Sequence, residues 1–370
     1  MNWFADTFGF PEPKDYAAAR ASFRVEGEGA DTELVSLAPG GERRFHVGRF
    51  TMPSVAELRD ELGATAGGAA GGAAGGAAGG GAGDAAAAAE CEGALTFVHA
   101  SGDVKALHQD AAYADAVFQA ASQFNCLEMV GPRVRPEDGV TQYWMDRTQG
   151  PICAMCCPAG TVFRNYHVNG AGQAGEGQLD LLAEAGALLG NGGERYWSMQ
   201  NGYCAPVRNS SMAELRAALA EAADGGAALA AAARDAVRVG VHWSTEVTLR
   251  RGAAHRVCQV YSSAVPVAYY KFCNSSDWAP LAKIVLDATY EATLAAAALL
   301  ARERGARVTV VLTKVGGGAF GNRSQWIVDA IARALDLFKA HPLDVQLLHY
   351  GPVEGMYGKA LKPRKPREKQ

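Results

Sequence analysis

The chain has 370 residues, of which 49% are apolar and 20% charged, and its net charge is −4. This length and apolar content allow a sizeable core in one large domain or two smaller ones, and the charge gives no reason to expect nucleic acid as a partner. The sequence has no uninterrupted apolar run of about 18 residues and no basic segment before an apolar one at its start, so we expect neither a membrane span nor a secretory signal. Eight cysteines without regular spacing predict reduced thiols and a cytoplasmic location, with the nucleus as the alternative.

Composition divides the chain into four parts. Residues 1–63 contain alternating stretches such as Ser22–Val25 and Arg44–Val47, which predict a β-rich extension, and Ser54 is predicted to cap a short helix there. Residues 64–89 are almost pure Ala and Gly, which predicts a flexible linker because such a segment has little to bury. Residues 90–352 are predicted to form the main domain. Residues 353–370 are predicted to be a disordered basic tail, with a weak nucleic-acid or targeting role as the alternative.

The main domain is predicted to be a layered α/β structure. Strands are expected at 94–99, 117–123, 160–167, 237–241 and 257–270, and the alanine-rich run at 217–235 is either a surface helix or a second insertion. A long helix then begins near Ser276 or Asp277, with Pro280 in its first turn and Gly305 after its end. A buried strand at 308–312, a glycine-rich loop, a helix with apolar residues at helical spacing between 326 and 338, and a strand at 345–348 complete the order. Such an alternation is typical of helices layered on a sheet.

The glycine-rich loop lies where a buried strand ends and a helix begins. It consists of Gly316, Gly317, Gly318, Ala319, Phe320, Gly321 and Asn322. Ligands of α/β folds bind at the carboxyl ends of such strands. Glycines let the backbone approach an anion closely, and the free N–H groups of a helix N-terminus favour negative charge, so phosphate is the expected ligand. Asn322 is predicted to cap the helix, with Gln325 closing a capping box.

Several interpretations of this loop compete. A P-loop is excluded because no Lys-Ser or Lys-Thr follows the glycines. Gly316, Gly318 and Gly321 match the G-x-G-x-x-G pattern of a Rossmann fold, which would indicate a nicotinamide-dependent enzyme, but such a loop normally opens its domain and only one convincing strand follows this one. A tight turn that binds no ligand is another interpretation.

A further interpretation comes from a family resemblance. The order of helix, strand, glycine-rich loop with an aromatic residue, helix and strand over 281–348 resembles the C-terminal half of a macrodomain, the fold that binds ADP-ribose. The loop itself is similar to the diphosphate loops of poly(ADP-ribose) glycohydrolases. The resemblance extends over about 92–352, and it is closest to divergent macrodomains that use acidic side chains and remove ADP-ribose from arginine. It implies a three-layer α/β/α core with a mixed sheet, in which the residues from Gly316 to Asn322 cradle the diphosphate.

The resemblance also implies a loop on the ribose side of the ligand. In this family an asparagine that follows an earlier strand contacts the distal ribose. Ser122-Gln123-Phe124-Asn125 occupies that place, so Asn125 and Gln123 are predicted ligand contacts.

Acidic residues after this loop are the candidates for chemistry. Cleavage of an N-glycosidic bond needs a carboxylate that orients water, transfers a proton or holds the ribose hydroxyls. Glu128 lies three residues beyond Asn125, and Asp146 lies in a polar and aromatic segment that also contains Gln149. We expect Asp146 and Glu128 to be catalytic and Gln149 to contact the ligand, whereas Asp138 is typical of a turn. The alternative for Asp146 is a surface turn paired with an arginine.

The sequence therefore predicts an ADP-ribosyl hydrolase whose partner is an ADP-ribosylated protein, with arginine as the modified side chain that the resemblance implies. Two alternatives stay open: a non-catalytic module that binds ADP-ribose or a related nucleotide, and a nicotinamide-dependent enzyme. No cofactor is predicted. No metal is predicted either, because the C-x-x-C spacing within 153–157 has no second pair and the histidines lack metal-binding spacing.

Overall fold

A computed structural model describes residues 2–64, 94–248 and 255–364 of the chain. The linker predicted at 64–89 lies outside these ranges except for Ala64, and so do residues 365–370 of the basic tail. The fold is α/β, with a mixed seven-stranded sheet, helices on both of its faces and a β-rich N-terminal part.

The strands form one large sheet and two small ones. In chain order they are β1 (Phe23–Glu26), β2 (Glu33–Ser36), β3 (Arg43–His46), β4 (Phe50–Thr51), β5 (Thr96–Ser101), β6 (Val117–Ala121), β7 (Trp197–Gln200), β8 (Tyr203–Pro206), β9 (Gly240–Glu246), β10 (Arg256–Ser262), β11 (Val308–Leu312) and β12 (Leu343–His349). The large sheet has the order β4-β9-β10-β6-β11-β12-β5. Its strands β10, β6, β11, β12 and β5 are parallel, whereas β9 pairs antiparallel with both β10 and β4, so the predicted mixed sheet is confirmed.

The helices are mostly short, with one long exception. In chain order they are α1 (Trp3–Phe8), α2 (Tyr16–Ala21), α3 (Val55–Ala64), α4 (Val104–Gln109), α5 (Gln149–Cys156), α6 (Pro158–Tyr166), α7 (Ala183–Leu188), α8 (Ser211–Glu221), α9 (Ala227–Ala236), α10 (Ala279–Arg304), α11 (Ser324–Leu337) and α12 (Gly355–Ala360). The alanine-rich run at 217–235 thus contributes to two helices, α8 and α9.

Two neighbouring residues of β6 show how the helices are layered. Side chains of successive strand residues point to opposite faces of a sheet. Phe118 stacks on His108 of α4 at 3.8 Å between ring centroids, whereas the Gln119 side chain donates to Thr293 Oγ1 of α10 at 3.2 Å. The helices α4 and α10 therefore cover opposite faces, which gives the three predicted layers.

The long helix α10 is the core helix of the second layer. Among the described residues it is the one helix long and apolar enough to cross a membrane, but 94% of its most apolar window is buried inside the protein. It packs against α3, α9 and α11 and lies on the sheet. Pro280 in its first turn and Gly305 after its end, with a φ of 60°, confirm the predicted bounds, but no side chain of Ser276 or Asp277 caps it.

The N-terminal part is packed on the main sheet. The strands β1, β2 and β3 form an antiparallel sheet, while β4 joins the large sheet beside β9. Ser54 caps α3 as predicted: the Glu57 N–H donates to Ser54 Oγ at 3.1 Å, and the Ser54 N–H donates to Glu57 Oε2 at 2.9 Å.

One predicted strand is wrong, and another is too long. Residues 160–166 belong to helix α6, which Pro158 opens. Packing that buries nearly all of its side chains outweighs the local strand preference of Thr161, Val162 and Phe163. The predicted strand at 257–270 ends at Ser262, since the chain then turns through Pro266 into a short 3₁₀ helix, Val267–Tyr269.

The predictions for the start of α11 and for the C-terminal tail also need correction. Helix α11 begins at Ser324, and the side chains of Asn322 and Gln325 bond to Val265 O and Asp329 Oδ1 instead of forming a capping box. The tail is ordered over 355–364: it forms α12, and the backbone of Arg364 pairs with that of Phe97.

Candidate functional site

A cleft of about 490 Å³ opens at the carboxyl ends of the parallel strands. It is lined by the segments that follow β5, β6, β11 and β12 and by the start of α5. Most of the predicted site residues line it together: Gln123, Glu128, Asp146, Gln149, Gly316, Gly317, Gly318, Ala319 and Phe320. Asn125 and Asn322 are buried and do not line the cleft, and the exposed Gly321 does not line it either. The fold therefore gathers the glycine loop and both predicted acids at one sheet edge.

The cleft forms where β11 parts from β6. The two strands pair only at Val117 with Val310 and at Phe118 with Val311. Beyond that point the side chain of Gln149 takes the place of a strand, because its Oε1 accepts from the Ala121 N–H at 3.0 Å and its Nε2 donates to Gln119 O at 2.8 Å. Both the oxygen and the nitrogen of the Gln149 amide thus bond to the backbone of β6. Gln149 therefore stabilises the wall of the cleft, whereas it was predicted to contact the ligand.

The glycine loop has a backbone conformation that requires glycine at two positions. Gly316 and Gly321 have φ values of 73° and 68°. A Cβ at Gly316 would lie 2.4 Å from Ala264 Cβ, and one at Gly321 would lie 2.7 Å from Ala268 Cβ. The Asn322 side chain fastens the loop by donating to Val265 O at 2.8 Å and to Gly316 O at 3.3 Å. Asn322 was predicted to contact the ligand, but its side chain anchors the loop instead.

The loop presents several free N–H groups. Within the described ranges, the backbone N–H groups of Gly316, Gly318, Ala319 and Phe320 donate to no acceptor. Successive free N–H groups beside a helix N-terminus form a site that favours an anion. The N-terminal Ser324 of α11 lines the same cleft, so the helix adds its dipole to this site.

Lys314 supplies a positive charge immediately before the loop. Its Nζ forms an ion pair with Glu354, which also lines the cleft, and lies 5.5 Å from the ring centroid of Tyr357 in α12. The C-terminal segment therefore forms one wall of the cleft, which the sequence did not indicate.

Glu128 is the acid most strongly changed by its surroundings. Only 5% of the residue is exposed, and no donor reaches its Oε1 within the described part of the chain. A Cβ at Gly150 would lie 2.4 Å from Glu128 Oε2, so this carboxylate rests against the first turn of α5. Burial raises the pKa of Glu128 well above its usual value; the charge of Asp146 raises it further, and that of Arg164 opposes the rise. A carboxyl group in this state can donate a proton near neutral pH.

Asp146 lies at the mouth of the cleft. Its Oδ1 accepts from the Thr148 N–H at 2.8 Å, which makes it the turn residue that leads into α5. No ion pair joins it to an arginine among the described residues, so the paired surface turn considered above is not observed. Its other carboxylate oxygen can face a ligand.

Gln123 and Asn125 hold the loop that carries Glu128. Gln123 exchanges two hydrogen bonds with the backbone of Met129, at 2.8 and 3.2 Å. Asn125 is fully buried: its Oδ1 accepts from the Leu127 N–H and its Nδ2 donates to Gln178 Oε1, both at 3.1 Å. The expected ribose contact of Asn125 is therefore replaced by a structural role behind the cleft.

Several cleft residues were missed by sequence reasoning. Tyr203 and Tyr269 were missed, and they form an aromatic cluster with the predicted Phe320, with ring centroids 5.5–5.6 Å apart. Asp103 follows β5 and Tyr350 follows β12, and 89% of Tyr350 is exposed. The signal for the last two was their position directly after parallel strands, where ligands of α/β sheets bind.

Metal and thiol chemistry receive no support from the described residues. They contain no group of three or more His, Cys, Asp or Glu side chains that could hold a metal ion. The C-x-x-C cysteines lie in and after α5, and burial raises the pKa of Cys153, Cys156 and Cys157, which keeps these thiols protonated.

Comparison with known proteins adds no family to this picture, since neither a protein-family model nor a curated protein matches the chain.

Proposed function

We propose that the cleft binds ADP-ribose and that the protein hydrolyses the bond between ADP-ribose and a modified protein side chain. The observation that carries the proposal is the meeting, in one cleft, of a glycine loop with four free N–H groups and a buried carboxyl group with a raised pKa. The first suits a diphosphate, and the second suits proton transfer to a leaving group.

The order of strands supports a ligand of this length. Along the sheet edge, Asp103 follows β5, Tyr350 follows β12, the glycine loop follows β11 and Glu128 lies beyond β6. Three strand spacings of about 4.8 Å each separate the first of these from the last, or about 14 Å. A ligand with a base at one end, a diphosphate in the middle and a ribose at the other end fits this order.

Each part of the cleft offers chemistry for one part of the ligand. The Asp103 carboxylate accepts from the Lys105 N–H at 2.9 Å through Oδ1, which leaves Oδ2 for an amino group of a base, and the exposed ring of Tyr350 can stack on the base. The free N–H groups and Lys314 meet the diphosphate. Glu128 and Asp146 then lie at the distal ribose.

The reaction we propose is a simple hydrolysis. Water attacks the anomeric carbon of the distal ribose, and the bond from that carbon to the side-chain nitrogen breaks. The protonated Glu128 gives its proton to the leaving nitrogen, and the proton lost by the water returns to the Glu128 carboxylate. The carboxylate of Asp146 stabilises the positive charge that develops on the ribose.

Turnover of ADP-ribosylated arginine in a modified peptide tests the proposal. We expect the wild type to release ADP-ribose and Glu128→Gln to release it about 10²–10⁴-fold more slowly, since that is the usual contribution of a positioned acid. Glu303→Gln is the matched control, because it replaces the same side chain in the same way at a residue outside the cleft. Glu303 is exposed in the last turn of α10.

The outcomes separate the alternatives. Tight binding of ADP-ribose without turnover of any linkage would favour a binding module. Binding of NAD in preference to ADP-ribose would favour the nicotinamide-dependent enzyme.

A further inference from the structure

One arginine is buried behind the cleft without a carboxylate in contact. Arg164 of α6 is 0% exposed, and among the described residues no Asp or Glu oxygen lies within 4.0 Å of its guanidinium. Its Nε donates to Cys126 O at 2.9 Å, its Nη2 donates to Thr161 Oγ1 at 3.2 Å, and its Nη1 has no acceptor in the described part of the chain. A buried charge without a counter-ion normally costs several kcal/mol, about the effect of breaking a buried pair.

The buried guanidinium contacts an aromatic ring and the backbone of one loop. The guanidinium carbon lies 3.6 Å from the ring centroid of Tyr261, which gives a cation–π contact in a dry interior. The acceptor Cys126 O belongs to the loop from Gln123 to Met129, two residues before Glu128. Arg164 therefore fixes the backbone that carries the proposed general acid.

The positive charge of Arg164 also acts on the carboxyl group of Glu128, where it opposes the rise in pKa. Glu128 Oε1 is buried without a donor, just as Arg164 Nη1 is buried without an acceptor. The charged and titratable groups that act on Glu128 or are influenced by it come from every element around it: Arg164 (α6), Asp146, Tyr143, Cys126, Cys153 (α5), Tyr203 (β8) and Tyr261 (β10). Arg164 is the one positive charge among them.

We infer that Arg164 is a positioning residue of the proposed hydrolase, which fixes the Glu128 loop and supplies the buried positive charge that lets Glu128 release its proton. Burial alone would make the carboxyl group hold its proton too tightly to serve as an acid near neutral pH. The guanidinium offsets this effect without touching the ligand, since Arg164 does not line the cleft. The inference rests on the proposed function for the role of Glu128 as an acid.

Substitutions at position 164 separate charge from packing. Arg164→Met keeps an unbranched chain of similar reach without the charge, and Arg164→Lys keeps the charge without the planar fork. In Arg164→Met we expect the alkaline limb of the rate–pH profile to move to higher pH by about 1–3 units, the usual effect of one close opposite charge. In Arg164→Lys we expect a lower rate but a limb within about 0.5 unit of the wild type, because the charge remains.

The effect of Arg164 on Glu128 can also be measured without turnover, so that it is tested independently of the proposed function. The thermal midpoint of each protein is compared with that of the same protein carrying Glu128→Gln, from pH 4 to 9. The difference in thermal midpoint grows with pH until Glu128 ionises in the folded protein, and then it stays constant. We expect it to become constant at a higher pH in Arg164→Met than in the wild type, whether or not the protein is an enzyme.

A difference that levels off at the same pH in Arg164→Met and in the wild type would overturn the inference. If Arg164→Met does not fold, Arg164→Lys decides alone: a curve like that of the wild type supports the inference, and a curve moved by a unit or more overturns it. If the plots of midpoint difference against pH shift as expected but no ADP-ribosyl bond is hydrolysed, the effect of Arg164 on Glu128 is supported and the proposed function is wrong.

Discussion

At the scale of single residues, the account depends most on the protonation of Glu128. Its pKa in the folded protein is raised above the usual value of 4.5, first by burial and then by Asp146. The folded state therefore binds this proton more tightly than the unfolded state. The stability that this residue contributes is present below about pH 4.5 and is lost as the pH rises through its pKa in the folded protein.

We predict that Glu128→Gln raises the thermal midpoint at pH 7, because folding must return to Glu128 a proton that the unfolded chain has lost, whereas glutamine needs no proton. The gain should shrink as the pH falls and should vanish below about pH 4.5, where the glutamic acid is protonated in both states. Differential scanning calorimetry from pH 4 to 8 measures this difference, with Glu303→Gln as the exposed control. A gain of the same size at every pH would show that the pKa of Glu128 is not raised in the folded protein.

At the scale of elements, the glycine loop makes the strongest prediction. Gly321 has a φ of 68°, and a Cβ at this residue would lie only 2.7 Å from Ala268 Cβ. We predict that Gly321→Val costs about 1–3 kcal/mol of stability through backbone strain and abolishes binding of ADP-ribose while the protein stays folded. Near-UV circular dichroism and a binding titration together check this. Gly40→Val is the control, since a Cβ at Gly40 has no neighbour within 4 Å and its φ is not positive. Retained affinity in a folded Gly321→Val protein would exclude the loop from the site.

The elements also show what the sequence could predict. The order α10, β11, loop, α11 and β12 was predictable because Pro280, Gly305 and a continuous apolar strand mark its bounds. Helix α6 was missed because Thr161, Val162 and Phe163 favour a strand locally, whereas packing in the folded protein makes the segment helical. The capping role expected of Asn322 failed for a different reason: a long-range acceptor, Val265 O, competes for its side chain, and no local pattern reveals that contact.

In the site too, local sequence patterns allowed some residues to be assigned, whereas roles that depend on long-range contacts could not be predicted. Glu128 could be assigned to the cleft because it lies three residues beyond Asn125 in the loop after a strand, and Asp146 because its segment mixes an acid, an amide and aromatic residues. The structural roles of Asn125, Gln123 and Gln149 could not be predicted, since their partners are backbone groups that only the folded loop brings within reach.

At the scale of the whole molecule, the N-terminal part braces the segment that carries the acids. Glu12 accepts from the N–H groups of Val140 and Thr141 at 2.9 and 2.7 Å and from Tyr166 Oη at 2.7 Å. Trp3 Nε1 adds a bond to Thr141 O at 2.9 Å. These contacts join α1 and the connection between α1 and α2 to the turn that leads into Asp146, so the extension supports the cleft from behind.

We predict that Glu12→Ala destabilises the protein by about 2–4 kcal/mol, because it leaves two backbone donors and one hydroxyl without their charged acceptor. Turnover should fall with it, while affinity for ADP-ribose should change little, since the glycine loop lies on other elements. Urea unfolding and a binding titration measure the two effects. Glu42→Ala, on the exposed β-rich part, is the control. Equal loss of affinity and turnover would mean that Glu12 supports the whole cleft.

The central claim is that the cleft is built for ADP-ribose, and a calorimetric titration of the wild type with ADP-ribose tests it most directly. The account predicts binding of one molecule per chain, competition by ADP, and no such binding in Gly321→Val. Absence of binding, or binding that persists undiminished in folded Gly321→Val, would contradict it.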